Sequence, residues 1–122
     1  MITVYFNYKI FKLADKLINL AKNNLIHGDG FPKYYFNMEL GIITLLKSNE
    51  RYPMHDDSSG NINIVTFLNN NGGMKFGDEY KNIILDIKAI KGLAMKFDTY
   101  INHEPYTSNG DRWALLQREE EK

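Results

Sequence analysis

Apolar and polar positions alternate at the start of the chain. Ile2, Val4 and Phe6 fall on one side of "ITVYFNY" and Thr3, Tyr5 and Asn7 on the other, which predicts a strand over 2–7. The period then changes. Across "KIFKLADKLINLAKNNLI" the residues Ile10, Leu13, Ala14, Leu17, Ala21 and Leu25 make one apolar stripe opposite Lys9, Lys12, Lys16, Asn19 and Asn23. This predicts an amphipathic helix over 8–26, closed by Gly28 in "HGDG".

The next segment, "FPKYYFNMELGIITLLKSNE", carries two patterns. Asn37 as N-cap, Glu39 in a first turn and Lys47 near the end favour a helix over 38–47, whereas Tyr34, Tyr35, Phe36, Ile42, Ile43 and Thr44 favour extended structure. The capping residues tip the reading to helix. "SNERYPMHDDSSGN" shows no period and many turn formers, so 48–61 reads as a long exposed loop. "INIVTFL", "NNNGG" and "MKF" then read as a hairpin.

The longest periodic segment is "YKNIILDIKAIKGLAMKFDTYI". Tyr80, Ile83, Ile87, Ile90, Ala94, Phe97 and Ile101 recur at alternating spacings of three and four, a stripe that a strand would scatter over both faces. With Asp78 as N-cap and Pro105 beyond the end, the pattern predicts a helix over about 79–102. Gly92 costs that helix about 1 kcal/mol. It also punctuates a second division of the same letters: a strand to Ile90, a turn at Lys91 and Gly92, and a helix from Leu93. The expected architecture is a single α+β domain over 1–122, a short antiparallel sheet including 61–68 packed against two long amphipathic helices. A short C-terminal helix capped by Asp111 and docked through Trp113 and Leu116 follows, with an acidic end at 118–122 that frays.

Composition narrows the function classes. At 122 residues, 43% hydrophobic and 25% charged, the chain has the balance of one ordinary globular domain. Cysteine is absent, which removes disulfides, thiolate metal sites and thiol nucleophiles. The longest apolar run, "IITLL", is far too short for a membrane helix, and "MITVYFNYK" lacks the basic start of a signal peptide, so a cytoplasmic protein with no membrane partner is expected. Fifteen basic residues balance fifteen acidic ones, which argues against a nucleic-acid partner. Lys, Asn, Ile, Tyr and Phe are abundant, and Lys outnumbers Arg, the bias of an AT-rich source such as a phage or another mobile element.

Candidate chemistry begins with Asp86 and Lys88. Under the strand division of 80–101, the order helix, strand, strand, strand, helix together with Asp86-x-Lys88 resembles the core of the PD-(D/E)xK nuclease superfamily. That resemblance implies a divalent metal shared between Asp86 and an upstream acid, Asp57 or Asp78, with Lys88 positioning or activating the attacking water. Under the helix division both residues are solvated. Each histidine also lies beside an acid: His27 with Asp29, His55 with Asp56 and Asp57, His103 with Glu104. Three such pairs converging would make a metal site, but they fall in separate predicted turns without helical ligand spacing, so no metal and no cofactor is expected. "NNNGG" lacks the Lys-Ser/Thr of a phosphate loop.

Lys81, Lys88, Lys91 and Lys96 read as a solvated helix face rather than a nucleic-acid stripe. The apolar face of the same helix offers a homodimer contact. Among the aromatic residues, Tyr34, Tyr35 and Phe36 are consecutive, so at least one reaches the surface. With Arg51 and Tyr52 in the 48–61 loop, Tyr34 and Tyr35 form the expected binding group for a protein partner. The sequence thus suggests a small non-enzymatic accessory factor, an inhibitor or modulator of a host protein, with the metal-dependent nuclease as the alternative.

Overall fold

The structure, a computed structural model, describes residues 1–48, 50–57 and 60–120. Ten strands and one helix follow in the order β1 (Ile2–Phe6), α1 (Tyr8–Lys22), β2 (Ile26–His27), β3 (Tyr34–Asn37), β4 (Ile42–Leu46), β5 (Asn61–Phe67), β6 (Gly73–Gly77), β7 (Ile83–Lys88), β8 (Leu93–Asp98), β9 (Asn102–Tyr106) and β10 (Arg112–Glu120). Seven strands form one sheet in the order β1-β8-β5-β10-β4-β3-β2, and three form another in the order β7-β6-β9. The described pairings are all antiparallel.

Burial shows how the layers stack. Val65 and Phe67 from β5, Met95 and Phe97 from β8 and Ala114 from β10 meet Met74 and Phe76 from β6, so the two sheets pack face to face. The other face of the large sheet offers Ile43, Leu45, Trp113 and Leu115, and α1 covers it with Ile10, Ala14, Leu17 and Ala21. In β10 the pleat sends Trp113 and Leu115 toward the helix and Ala114 and Leu116 toward the small sheet. The result is a β-sandwich with one helix on its outer face.

This overturns the α+β expectation. Of the two long helices only α1 exists, with Asn7 as its N-cap and Asn23 as its C-cap. The 80–101 stripe does not share one face: Tyr80, Ile83 and Ile90 are exposed while Ala94 and Phe97 are buried. Gly92 sits at φ +89, a left-handed turn that separates β7 from β8, so the second division was right about the turn and wrong about the helix after it. The helix proposed to mediate a homodimer is therefore absent. Residues 42–46 are extended because β-branched Ile42, Ile43 and Thr44 slot between β3 and β10, and Asn37 ends a strand instead of capping a helix. The expected hairpin is also absent, because β5 and β6 belong to different sheets and "NNNGG" carries the chain across the sandwich. The C-terminal residues 112–120 form a central strand between β4 and β5. Parts of the expected loop and frayed end, Asn49, Ser58, Ser59, Glu121 and Lys122, lie outside the described residues. Among those described, no helix is long and apolar enough to cross a membrane.

Candidate metal centre

The segment before β5 runs beside β9. Arg51 bridges to Tyr106, and His55 to His103, where each backbone N–H donates to the other's carbonyl, at 3.0 and 2.8 Å. Residues directly opposite in an antiparallel pair point to the same side, and the two imidazole centroids lie 4.4 Å apart. Asp57 follows His55 by two residues, the spacing that returns an extended chain to the same face, and its N–H donates to the Thr99 carbonyl at 2.8 Å. One ligand atom from each of His55, Asp57 and His103 thus lies within 4.8 Å of the others.

Hydrogen bonding sets the tautomers. His55 Nδ1 lies 2.9 Å from the Pro53 carbonyl and His103 Nδ1 lies 2.8 Å from that of Ile101. A carbonyl only accepts, so both Nδ1 atoms carry the proton and both Nε2 lone pairs are directed away from it. They meet the Asp57 carboxylate, His55 Nε2 at 3.6 Å from Oδ1 and His103 Nε2 at 3.4 Å from Oδ2. Burial, foremost, keeps the His103 imidazole below its ordinary pKa and so in the neutral form. Two imidazole lone pairs and a carboxylate facing one another repel, and a divalent cation among them makes the arrangement favourable. The donor set fits such an ion.

The carboxylate is held from behind. Asn63, 1% exposed on β5, donates from Nδ2 to Asp57 Oδ2 at 2.8 Å and accepts from Arg118 Nε at 3.0 Å. Arg118 Nη2 stands 3.7 Å from the same Oδ2.

The triad lines a cavity of about 70 Å³ between the sheets. Arg112 lines it too, from the inward face of β10. Its Nε donates to the Gly73 carbonyl at 3.1 Å, while Nη2 is buried with no acceptor among the described residues. Burial pulls this guanidinium down to about 10, still charged at neutral pH. A buried cation with an orphaned N–H signals a missing anion, and the planar guanidinium suits a carboxylate. Phe31 and Pro32 wall the cavity on another side. The Phe31 ring stacks on Tyr52 at 3.7 Å, and Tyr52 stands edge-on to His55 at 4.5 Å.

The expected binding group is divided. Tyr52 stands at the site, and exposed Arg51 pairs at 3.6 Å with Glu104, the neighbour of His103. Tyr34 instead stacks on His27, with Lys47 over its ring at 4.1 Å, and Tyr35 packs beside Gly28. Of the residues the nuclease resemblance implied, Asp57 stands in the triad and the others are engaged elsewhere. Lys88 lies 3.4 Å from Asp86, whose other oxygen accepts from Tyr106 Oη at 2.6 Å. Asp78 accepts from the backbone of Tyr80 and Asn82 and closes the β6–β7 turn. His27 is not in the triad. Sequence reasoning weighed His55 and His103 as metal ligands and set them aside, and it did not consider Asn63, Arg112 and Arg118. A signal existed in His55-x-Asp57, the spacing that puts both side chains on one face of an extended chain.

No protein-family model and no curated protein sequence matches this chain. Among solved structures it is similar to the crystal structure of a Pseudomonas putida prolyl-4-hydroxylase, with a TM-score of 0.76 and 11% sequence identity over 98% of this chain and 92% of that one. At that identity the likeness is one of fold. Together, this sandwich and the His55, Asp57, His103 cluster overturn the reading as a non-enzymatic inhibitor from a phage or mobile element.

Proposed function

We propose that this chain is a non-haem iron(II) oxygenase whose co-substrate is a dicarboxylic 2-oxo acid such as 2-oxoglutarate. The observation that carries the reading is the triad: two imidazoles and one carboxylate, with coordination positions left over, are the ligand set of such oxygenases. The likeness of fold to a prolyl-4-hydroxylase supports it.

The chain's own residues divide the work. His55, Asp57 and His103 hold the ion, and the Pro53 and Ile101 carbonyls fix their imidazoles. Arg112 binds the carboxylate of the 2-oxo acid remote from the metal, which satisfies its orphaned Nη2. Val65, Met74 and Leu116 line the space between and exclude water. When bound, ferrous iron supplies dioxygen activation: one oxygen atom enters the 2-oxo acid as it loses carbon dioxide, and the other is inserted into a substrate C–H bond. A cytoplasmic location suits this chemistry, because a reducing compartment keeps iron ferrous.

Anaerobic addition of iron(II) and 2-oxoglutarate to the purified protein tests the proposal. A visible charge-transfer band is expected, followed on admitting oxygen by release of carbon dioxide and succinate, with both lost in Asp57→Ala and His103→Ala. A wild-type protein that binds zinc but shows neither band nor decarboxylation overturns it.

A further inference from the structure

Resting on this 2-oxo acid reading, we infer that the primary substrate is an organic carboxylate with an apolar body, its anionic group held by Arg118 and its carbon frame packed on Phe31. The first support is charge. Of the charged side chains that line the cavity, Asp57 is the one acid, and Arg112 and Arg118 are the two permanent cations. A divalent ion offset by Asp57 leaves one positive charge. With Arg112 this balances the two negative charges of the 2-oxo acid, and Arg118 remains without a counter-charge inside the loaded site. Asp56 is exposed and does not line the cavity.

The second support is position. Arg112 and Arg118 are six residues apart on β10, an even spacing that puts both on the inward face but at different depths. Arg112 is 2% exposed, whereas the Arg118 side chain is 45% exposed beside Asp57, at the opening and next to the metal ligands. A guanidinium carries five N–H donors, and the contacts to Asn63 and Asp57 engage Nε and Nη2, which leaves donors for a ligand. The cavity is also walled by Phe31 and Pro32, backed by Tyr52, a surface for an apolar frame and not for a second charge.

The test uses a panel of N-acetyl amino acids and their matched primary amides, which differ only in the anionic group. The protein is loaded with iron(II) and 2-oxoglutarate, and stimulated oxygen consumption is read for each member of a pair. The wild type is expected to respond at least ten times more strongly to carboxylates with apolar side chains than to their amides, and Arg118→Gln to bring that ratio close to one. A purely structural role for Arg118, through its contact with Asn63 and Asp57, would depress both members equally and leave the ratio intact, which overturns the inference. Equal stimulation by acids and amides in the wild type, or stimulation by no carboxylate, overturns it as well. Failure of the underlying reading is distinguishable, because it removes the charge-transfer band and basal decarboxylation before any primary substrate is added.

Discussion

Asn63 Nδ2 donates to Asp57 Oδ2 at 2.8 Å from a side chain that is almost wholly buried. The direction of this bond follows from its neighbour. Arg118 only donates, so the Asn63 oxygen must face Arg118 and its NH₂ must face Asp57. Asn63 thereby occupies one carboxylate oxygen and fixes the plane in which Asp57 meets a metal.

Asn63→Ala is accordingly expected to weaken divalent metal binding by about 10- to 100-fold, the usual cost of losing a residue that orients a ligand. Isothermal titration of the metal-free protein with manganese(II) measures this directly. Unchanged affinity would mean that Asp57 needs no support from Asn63.

Arg112 concerns the co-substrate and not the metal. Replacing it with Met removes a charge-assisted contact worth about 1.5–3 kcal/mol, a loss of roughly 10- to 150-fold in 2-oxoglutarate affinity. The midpoint of the charge-transfer band against 2-oxoglutarate concentration reports it. Metal affinity in the same variant is expected to stay within about threefold, as Arg112 contributes no ligand.

Acid should destabilise the metal-free protein through His103. Burial lowers the pKa of this imidazole in the folded state, so the unfolded chain binds the proton at a higher pH than the native one. The stability it contributes is full above the ordinary histidine value of about 6.5 and is lost as pH falls through the lower folded value. One proton bounds the slope at about 1.4 kcal/mol per pH unit. Thermal melts of the apo protein between pH 7.5 and 5 should fall, and His103→Gln should flatten that fall.

The sequence carried α1 plainly, because its apolar stripe answers to a single buried face, and β1 kept a strand's alternation as an edge strand. Residues 42–46 and 112–116 were opaque for the opposite reason. Both segments are central strands buried on both faces, so their apolar runs lack the alternation that marks a strand. The site was legible in part. His55-x-Asp57 has the spacing of one strand face, but only a paired partner makes 51–57 extended, and that partner is β9, almost fifty residues downstream. Tertiary pairing decided what local propensity left open.

Gly92 gives the sharpest test of the fold against the sequence reading. In a helix over 80–101 it would be a weak point, and Gly92→Ala would stabilise the protein by about 1 kcal/mol. In the structure its φ is +89, its N–H donates to the Phe67 carbonyl at 2.8 Å, and its carbonyl accepts from Asn7 at 2.7 Å. A Cβ there would stand 2.8 Å from Phe11 Cβ and 2.8 Å from Phe6 Cε1, on the side where α1 and β1 approach the turn. Left-handed strain of about 1–3 kcal/mol adds to that crowding. Gly92→Ala should therefore destabilise, so the sign of the change separates the two folds without any ligand. Urea denaturation of the variant decides it: a lower midpoint is expected, and a higher one would restore the helix.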